Sequence, residues 1–179
     1  MTNYRRSNIA GASYFFTVNL ADRSQSLLTE NIELLRHAFE YTRERYPFTM
    51  EAIVILPEHI HALWTLPEGD RDFALRWRLI KTVFSRGLPH VEPRSESRLR
   101  KGERGIWQRR YWEHLIRNEA DFARHIDYIH INPVKHGMVM RVADWPHSSF
   151  HSYVRAGMLT NDWAGNEETG WECGERRSD

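Results

Sequence analysis

The sequence predicts an α+β fold of the ferredoxin-like (RRM-like) kind. It would have an antiparallel sheet with helices on one face and an added C-terminal, tyrosine-bearing helix on the other. Three observations lead there. Strand-type and helix-type apolar patterns succeed one another as strand, helix, strand, strand, helix, strand, the order of the split βαβ plan. A further amphipathic segment begins at Asn118, which that plan does not require. The 179 residues, 41% hydrophobic and 27% charged, suffice for a soluble domain with a real core. We expect one domain over residues 1–165 and a polar, glycine-rich, disordered tail over 166–179.

Tyr14-Phe15-Phe16-Thr17-Val18-Asn19, aromatic and β-branched after Gly11, reads as the first strand. Ile32, Leu35 and Phe39 recur at helical spacing within Thr29–Tyr46, and Pro47 ends that helix. Met50–Leu56 is the second strand, and the Pro57-Glu58 turn leads into the third. Asp72 suits the N-cap of a helix running to about Leu88, with Phe73, Trp77, Ile80 and Phe84 as its apolar stripe. Pro89–Gly105 is polar and basic and reads as a long loop. Ile106–Ile116 holds the fourth strand, near its end. Asn118 with Asp121 three residues on is close to a capping box, and Phe122, Ile126 and Ile129 give that helix its core side. Asn132-Pro133 also suits an N-cap followed by proline, so one helix could end there and another begin. A tryptophan turn, Asp144-Trp145-Pro146, and a short helical stretch, Ser148–Arg155, follow.

The formal net charge of +1 does not by itself suggest a nucleic-acid partner. Its distribution is more informative: residues 94–110 carry seven Lys or Arg against two Glu. Such an excess suits either phosphate contacts or a solvated loop. The single cysteine, Cys173, excludes an internal disulfide and a cysteine-rich zinc module. Neither a membrane-length apolar run nor a signal-type N-terminus is present, so the expected location is cytoplasmic with no membrane partner.

The chemistry gathers at Leu56-Pro57-Glu58-His59-Ile60-His61. His59 and His61 stand two apart on a strand, so both point to one face and can share a metal ion, while Ile60, Ala62 and Trp64 supply the other face. On the helix from Asn118, the residues Asp121, His125, Tyr128 and Asn132 form a polar stripe roughly 60° wide at 100° per residue. Two imidazoles with the Asn132 amide oxygen and open positions suit Mg²⁺ or Mn²⁺ better than a closed zinc site. A paired-histidine strand is more often a surface or hydrogen-bonded pair, and Tyr128 could equally be an interfacial helix tyrosine.

Taken together, Pro57-Glu58-His59-Ile60-His61 and Tyr128-Ile129-His130-Ile131-Asn132-Pro133-Val134-Lys135 resemble the single-tyrosine HUH transposases, and within them the REP-associated tyrosine transposases. Arg78-Leu79-Ile80-Lys81, Gly105-Ile106-Trp107-Gln108-Arg109, Tyr111-Trp112-Glu113-His114 and Trp145-Pro146-His147-Ser148-Ser149 share in the likeness, which spans about Met1 to Gly165. The resemblance implies a metal-dependent single-stranded DNA endonuclease and strand transferase acting on REP-type hairpins. It assigns Tyr128 as the nucleophile of a 5′-phosphotyrosine intermediate and His59, His61 and Asn132 as ligands of Mg²⁺ or Mn²⁺. It implies a nucleoid-associated protein, monomeric or homodimeric. Arg78, Lys81, Arg98, Arg100, Lys101, Arg104, Arg109 and Arg110 are then the phosphate candidates, and Trp107 a stacking one, with Tyr111 and Trp112 beside it. His125 and Asp121 could orient the phenol or metal-bound waters, whereas His114 and His130 read as structural. A hairpin-binding protein that does not cut, or a metal hydrolase using water as its nucleophile, would share most of these features.

Overall fold

The computed structural model describes residues 9–90 and 96–165. The predicted tail over 166–179 lies outside them. The elements are β1 (Ser13–Asn19), α1 (Leu27–Glu30), α2 (Ile32–Arg45), β2 (Thr49–Ile55), β3 (His59–Thr65), α3 (Phe73–Gly87), α4 (Glu96–Arg100), β4 (Trp112–Leu115), α5 (Glu119–Lys135), a 3₁₀ turn (Val142–Asp144) and α6 (Phe150–Arg155). The strands form one antiparallel sheet in the order β2-β3-β1-β4. This is the ferredoxin-like arrangement the sequence predicts, with α5 as the addition.

Strand alternation sorts the core into two layers. Tyr14, Phe16 and Val18 of β1 and Ile60, Ala62 and Trp64 of β3 face α2 and α3, whose Leu35, Ala38, Phe39, Trp77, Ile80 and Phe84 fill the first layer. Phe15, Ala52, Val54 and Leu63 face the opposite way and pack against Ile126, Tyr128 and Ile129 of α5. Trp64 and Trp77 stack at the centre of the first layer with ring centroids 4.7 Å apart. Because His59 and His61 share the parity of Leu63, the same alternation turns both toward α5.

Three details differ from the sequence reading. The first helix is broken at Asn31, whose amide donates back to the Leu27 carbonyl and separates α1 from α2. The basic loop contains a short helix, α4, with Glu96 and Arg100 paired four residues apart. Pro133 does not divide α5, which runs on to Lys135. Its nine buried positions include Ile129, Ile131 and Asn132, so packing on two sides outweighs the one hydrogen bond proline removes.

The outer edge of β2 is closed by the segment around Trp145–Tyr153. Ser149 N–H donates to the Ile53 carbonyl, Ile53 N–H to Ser149 Oγ, Ile55 N–H to the His147 carbonyl, Trp145 Nε1 to the Ile55 carbonyl and the Tyr153 hydroxyl to the Glu51 carbonyl. His130 ties α5 into this seam through Ser149 Oγ at 3.0 Å. Burial pushes its imidazole down to about 4. A histidine whose folded value lies below its ordinary 6.5 binds protons better unfolded. Its share of stability is therefore full above pH 6.5 and is lost as pH falls toward 4. Urea titrations at pH 7.5 and 5 should show a lower midpoint at pH 5, and His130→Asn should reduce that difference.

Candidate metal and tyrosine site

The site lies where β3 passes under the C-terminal half of α5. The rings of His59 and His61 meet edge to face with centroids 4.8 Å apart, and those of His59 and His136 are 5.1 Å apart. Donor atoms of these three histidines all lie within 4.8 Å of one another. Their planes are crossed by 80° and 64°, so their in-plane lone pairs can converge on one ion. His59 and His61 are buried and His136 half-buried, which gives the cluster one open side.

His136 is a residue the sequence reading passed over. It is the C-cap of α5, and the chain turns behind it in a Schellman motif: Gly137 N–H bonds to the Val134 carbonyl and Met138 N–H to the Pro133 carbonyl. Gly137 holds φ 68°, with nothing within 4 Å of where a Cβ would sit. Gly137→Ala should therefore cost about 1 kcal/mol through backbone conformation alone, because an L side chain disfavours the left-handed region. Its denaturation midpoint should fall accordingly.

Asn132 lies one helical turn before His136 and is fully buried, and neither its amide oxygen nor its amide nitrogen has a hydrogen-bond partner among the described residues. An unsatisfied buried polar group costs about 1–3 kcal/mol, so this side chain is placed to take a water or a ligand. Three imidazoles and an unengaged amide oxygen fit a divalent cation.

Tyr128 sits one turn before Asn132, 1% exposed. Its ring lies edge-on to His61 at 5.2 Å and to Phe15 at 5.8 Å, and the Lys135 ammonium stands 4.6 Å from its centroid. Asp121, His125, Tyr128 and Asn132 thus do share a face, but it is turned to the sheet and buried rather than set against solvent. Glu58 Oε1 is 2.9 Å from His59 Nδ1 and 3.4 Å from Arg23. Burial would raise the Glu58 carboxyl, yet His59 and Arg23 outweigh it and hold the group down at about 2.

His114, Asp121 and His125 form a second cluster with donor atoms within 4.8 Å. Its geometry does not suit a metal. The His114 and His125 rings stack 4.7 Å apart and 18° from parallel, so their lone pairs run side by side instead of meeting. The Asp121 carboxylate is already engaged by His114 Nε2 at 2.8 Å, Arg124 at 2.8 Å and the Arg117 N–H at 3.0 Å. Burial opposes its ionisation, but these donors hold it well below the usual carboxylate range. His125 Nδ1 donates to the Asp121 carbonyl at 2.7 Å, and burial pushes this imidazole down. The cluster therefore anchors the first turn of α5 to β4, and among the described residues it forms a group separate from His59, His61 and His136.

The basic candidates divide by environment. Arg78, Arg100, Lys101, Arg109 and Arg110 are exposed, although Arg100 pairs with Glu96 and Arg109 with Glu103. Arg98 is half-buried. Arg104 donates to the Ser85, Leu88 and Pro89 carbonyls and caps the end of α3. Lys81 donates to the Gln108 carbonyl between the rings of Trp107 and Tyr111. Trp107 belongs to the first core layer, its indole N–H bonded to Ser85 Oγ. Trp112 is partly exposed and stacks on His114. No helix among the described residues is long and apolar enough to cross a membrane.

No protein-family model matches the chain. Two curated relatives do. A Haemophilus influenzae protein named as a REP-associated tyrosine transposase is 51% identical over 169 residues, 94% of this chain and 96% of that one. The Escherichia coli K12 REP-associated tyrosine transposase is 48% identical over 176 residues, 98% of each. The structure of a REP-associated tyrosine transposase bound to a REP hairpin superposes with a TM-score of 0.84 at 47% identity, covering both chains in full. With near-complete coverage at about half identity and the same architecture, the chain belongs to the REP-associated tyrosine transposases.

Proposed function

We propose that this protein cuts and rejoins single-stranded DNA beside REP-type hairpins, using Tyr128 as nucleophile and a divalent cation held by His59, His61 and His136 with Asn132. The observation that carries this reading is the placement of the tyrosine ring 5.2 Å from His61, within the layer that gathers three convergent histidines and an unengaged amide. The hairpin-bound relative supports the substrate class.

In the cutting step Tyr128 Oη attacks the scissile phosphorus. An O–P bond forms and the P–O3′ bond breaks. The electron pair stays on O3′, which takes up a proton to become a free 3′-hydroxyl, while the phenol proton leaves to water. A divalent cation held by His59, His61, His136 and Asn132 would supply the positive charge that phenolic attack on a phosphodiester needs. The covalent 5′-phosphotyrosine keeps the bond energy, so a second 3′-hydroxyl can reverse the step and rejoin strands. Phe15 and His61 hold the ring on two sides, and Lys135 brings a positive charge to its face. The nitrogen-rich donor set favours Mn²⁺ over Mg²⁺. Arg78, Arg100, Lys101 and Arg110 supply exposed charge for the phosphate backbone, while Arg104, Lys81 and Trp107 serve the scaffold.

The test is to incubate the protein with end-labelled single-stranded REP hairpin DNA and Mn²⁺ and resolve the products under SDS. An SDS-resistant adduct retaining the fragment 3′ of the break, joined through its 5′-phosphate, is expected. Cut DNA without an adduct would assign the attack to water, and tight binding with no cut would leave a hairpin-binding protein.

A further inference from the structure

We infer that Glu58 and Thr17 are positioning residues for the paired histidines, Glu58 by dictating which ring nitrogen of His59 is presented and Thr17 by supporting that of His61. The inference rests on the proposed metal reading of this site and adds what makes the two imidazoles competent ligands.

An imidazole can offer a cation a lone pair on only one nitrogen while the other carries the proton, and the partner of the second nitrogen decides between the two forms. His59 Nδ1 lies 2.9 Å from Glu58 Oε1. An ionised carboxylate only accepts hydrogen bonds, so Nδ1 must be the protonated nitrogen and Nε2 is left as the donor atom for a cation. His61 Nδ1 lies 2.9 Å from Thr17 Oγ1, its cross-strand partner in the β1–β3 register. A hydroxyl both donates and accepts, so Thr17 permits the same form without forcing it. One ligand is therefore set by a charge, the other by a neutral group that adapts when the ion arrives.

The carboxylate is itself fixed. Its side chain is 12% exposed and backed by Arg23 at 3.4 Å. The turn that carries it is pinned at both residues: Leu20 N–H bonds to the Glu58 carbonyl at 2.8 Å, and Leu28 N–H to the Pro57 carbonyl at 3.2 Å. Leu56 N–H closes the same turn on the His59 carbonyl at 2.9 Å. The backbone that carries Glu58 is thereby held to the end of β1 and to α1, and its carboxylate is held between His59 and Arg23. Such outer partners typically govern metal affinity by about 10- to 100-fold.

The experiment uses full-length, DNA-free protein. Two-bond ¹H–¹⁵N spectra of the metal-free histidines report which nitrogen is protonated, and calorimetric titration with Mn²⁺ reports affinity. In the parent protein His59 should be purely Nδ1–H. Glu58→Gln should give a mixture of the two forms and weaken Mn²⁺ binding by about 10- to 100-fold, since the neutral amide can donate as well as accept. Thr17→Val should weaken it less. An Nε2–H form of His59 in the parent protein would overturn the inference without reference to any variant, and so would an unchanged affinity and tautomer in a folded Glu58→Gln protein. His59→Ala is the control on the underlying reading: if the parent protein's Mn²⁺ binding survives that change, the metal site itself has been misplaced.

Discussion

Tyr128→Phe should leave hairpin binding within about twofold of the parent protein and abolish the covalent adduct. The substitution removes one oxygen from a ring that is 1% exposed and lodged between His61 and Phe15, so its packing survives. The layer keeps the same apolar neighbours, Leu63, Ile126 and Ile129. What is lost is the only atom of that side chain able to form a phosphate ester. Removing the nucleophile of a covalent mechanism typically costs several orders of magnitude in rate. Gel-shift titration with a labelled REP hairpin and adduct formation under SDS read the two properties separately. Cleavage at the parental rate in the variant would remove Tyr128 from the chemistry.

Arg76→Met should destabilise the fold by about 3–5 kcal/mol, the range for removing one partner of a buried ionic network. Arg76 is 1% exposed, on α3. Its guanidinium donates to the Tyr46 and Pro47 carbonyls, to the Asp72 carbonyl one turn earlier and to the Asp70 carboxylate. One side chain thus joins the end of α2, the approach to β2 and the start of α3. Methionine of similar length fills the volume but takes away the donor those carbonyls share and leaves Asp70 without its cation. Arg76→Lys should recover part of the loss, since a point ammonium reaches fewer of the four acceptors. Urea denaturation measures both. A change below about 1 kcal/mol for Arg76→Met would mean that water replaces the guanidinium at little cost.

Most of the frame was legible in the chain because its signals are local. Alternation placed β1, β2 and β3, the period of Phe73, Trp77, Ile80 and Phe84 placed α3, and Asp72 and Asn118 cap their helices through Leu75 N–H and Asp121 N–H as their positions predict. The pairing of the His59–His61 strand with the Tyr128–Asn132 helix was also legible. His136 was not, although it continues the spacing of Tyr128 and Asn132 by one more turn. Asn132-Pro133 reads as a possible helix boundary, and only burial on two sides of α5 shows that the helix continues through it. Arg104 and Trp107 were unreadable for the opposite reason. A basic, aromatic stretch suggests DNA from composition, whereas their actual partners, Ser85 and the end of α3, lie some twenty residues away. Arg76 looked like one more cation off an apolar stripe, because the carbonyls it gathers are thirty residues upstream.

The five bonds that cover the outer side of β2 have a consequence for how the molecule behaves in company. Glu51, Ile53 and Ile55 would otherwise offer a neighbour a ready ladder of donors and acceptors beside an apolar face, the arrangement through which chains add to one another's sheets. The segment from Trp145 to Tyr153 occupies that ladder with the protein's own backbone and side chains. It therefore acts as a built-in guard against self-assembly, and a chain cut short after Met138 would keep Tyr128 and the three clustered histidines but leave that ladder open to a neighbour.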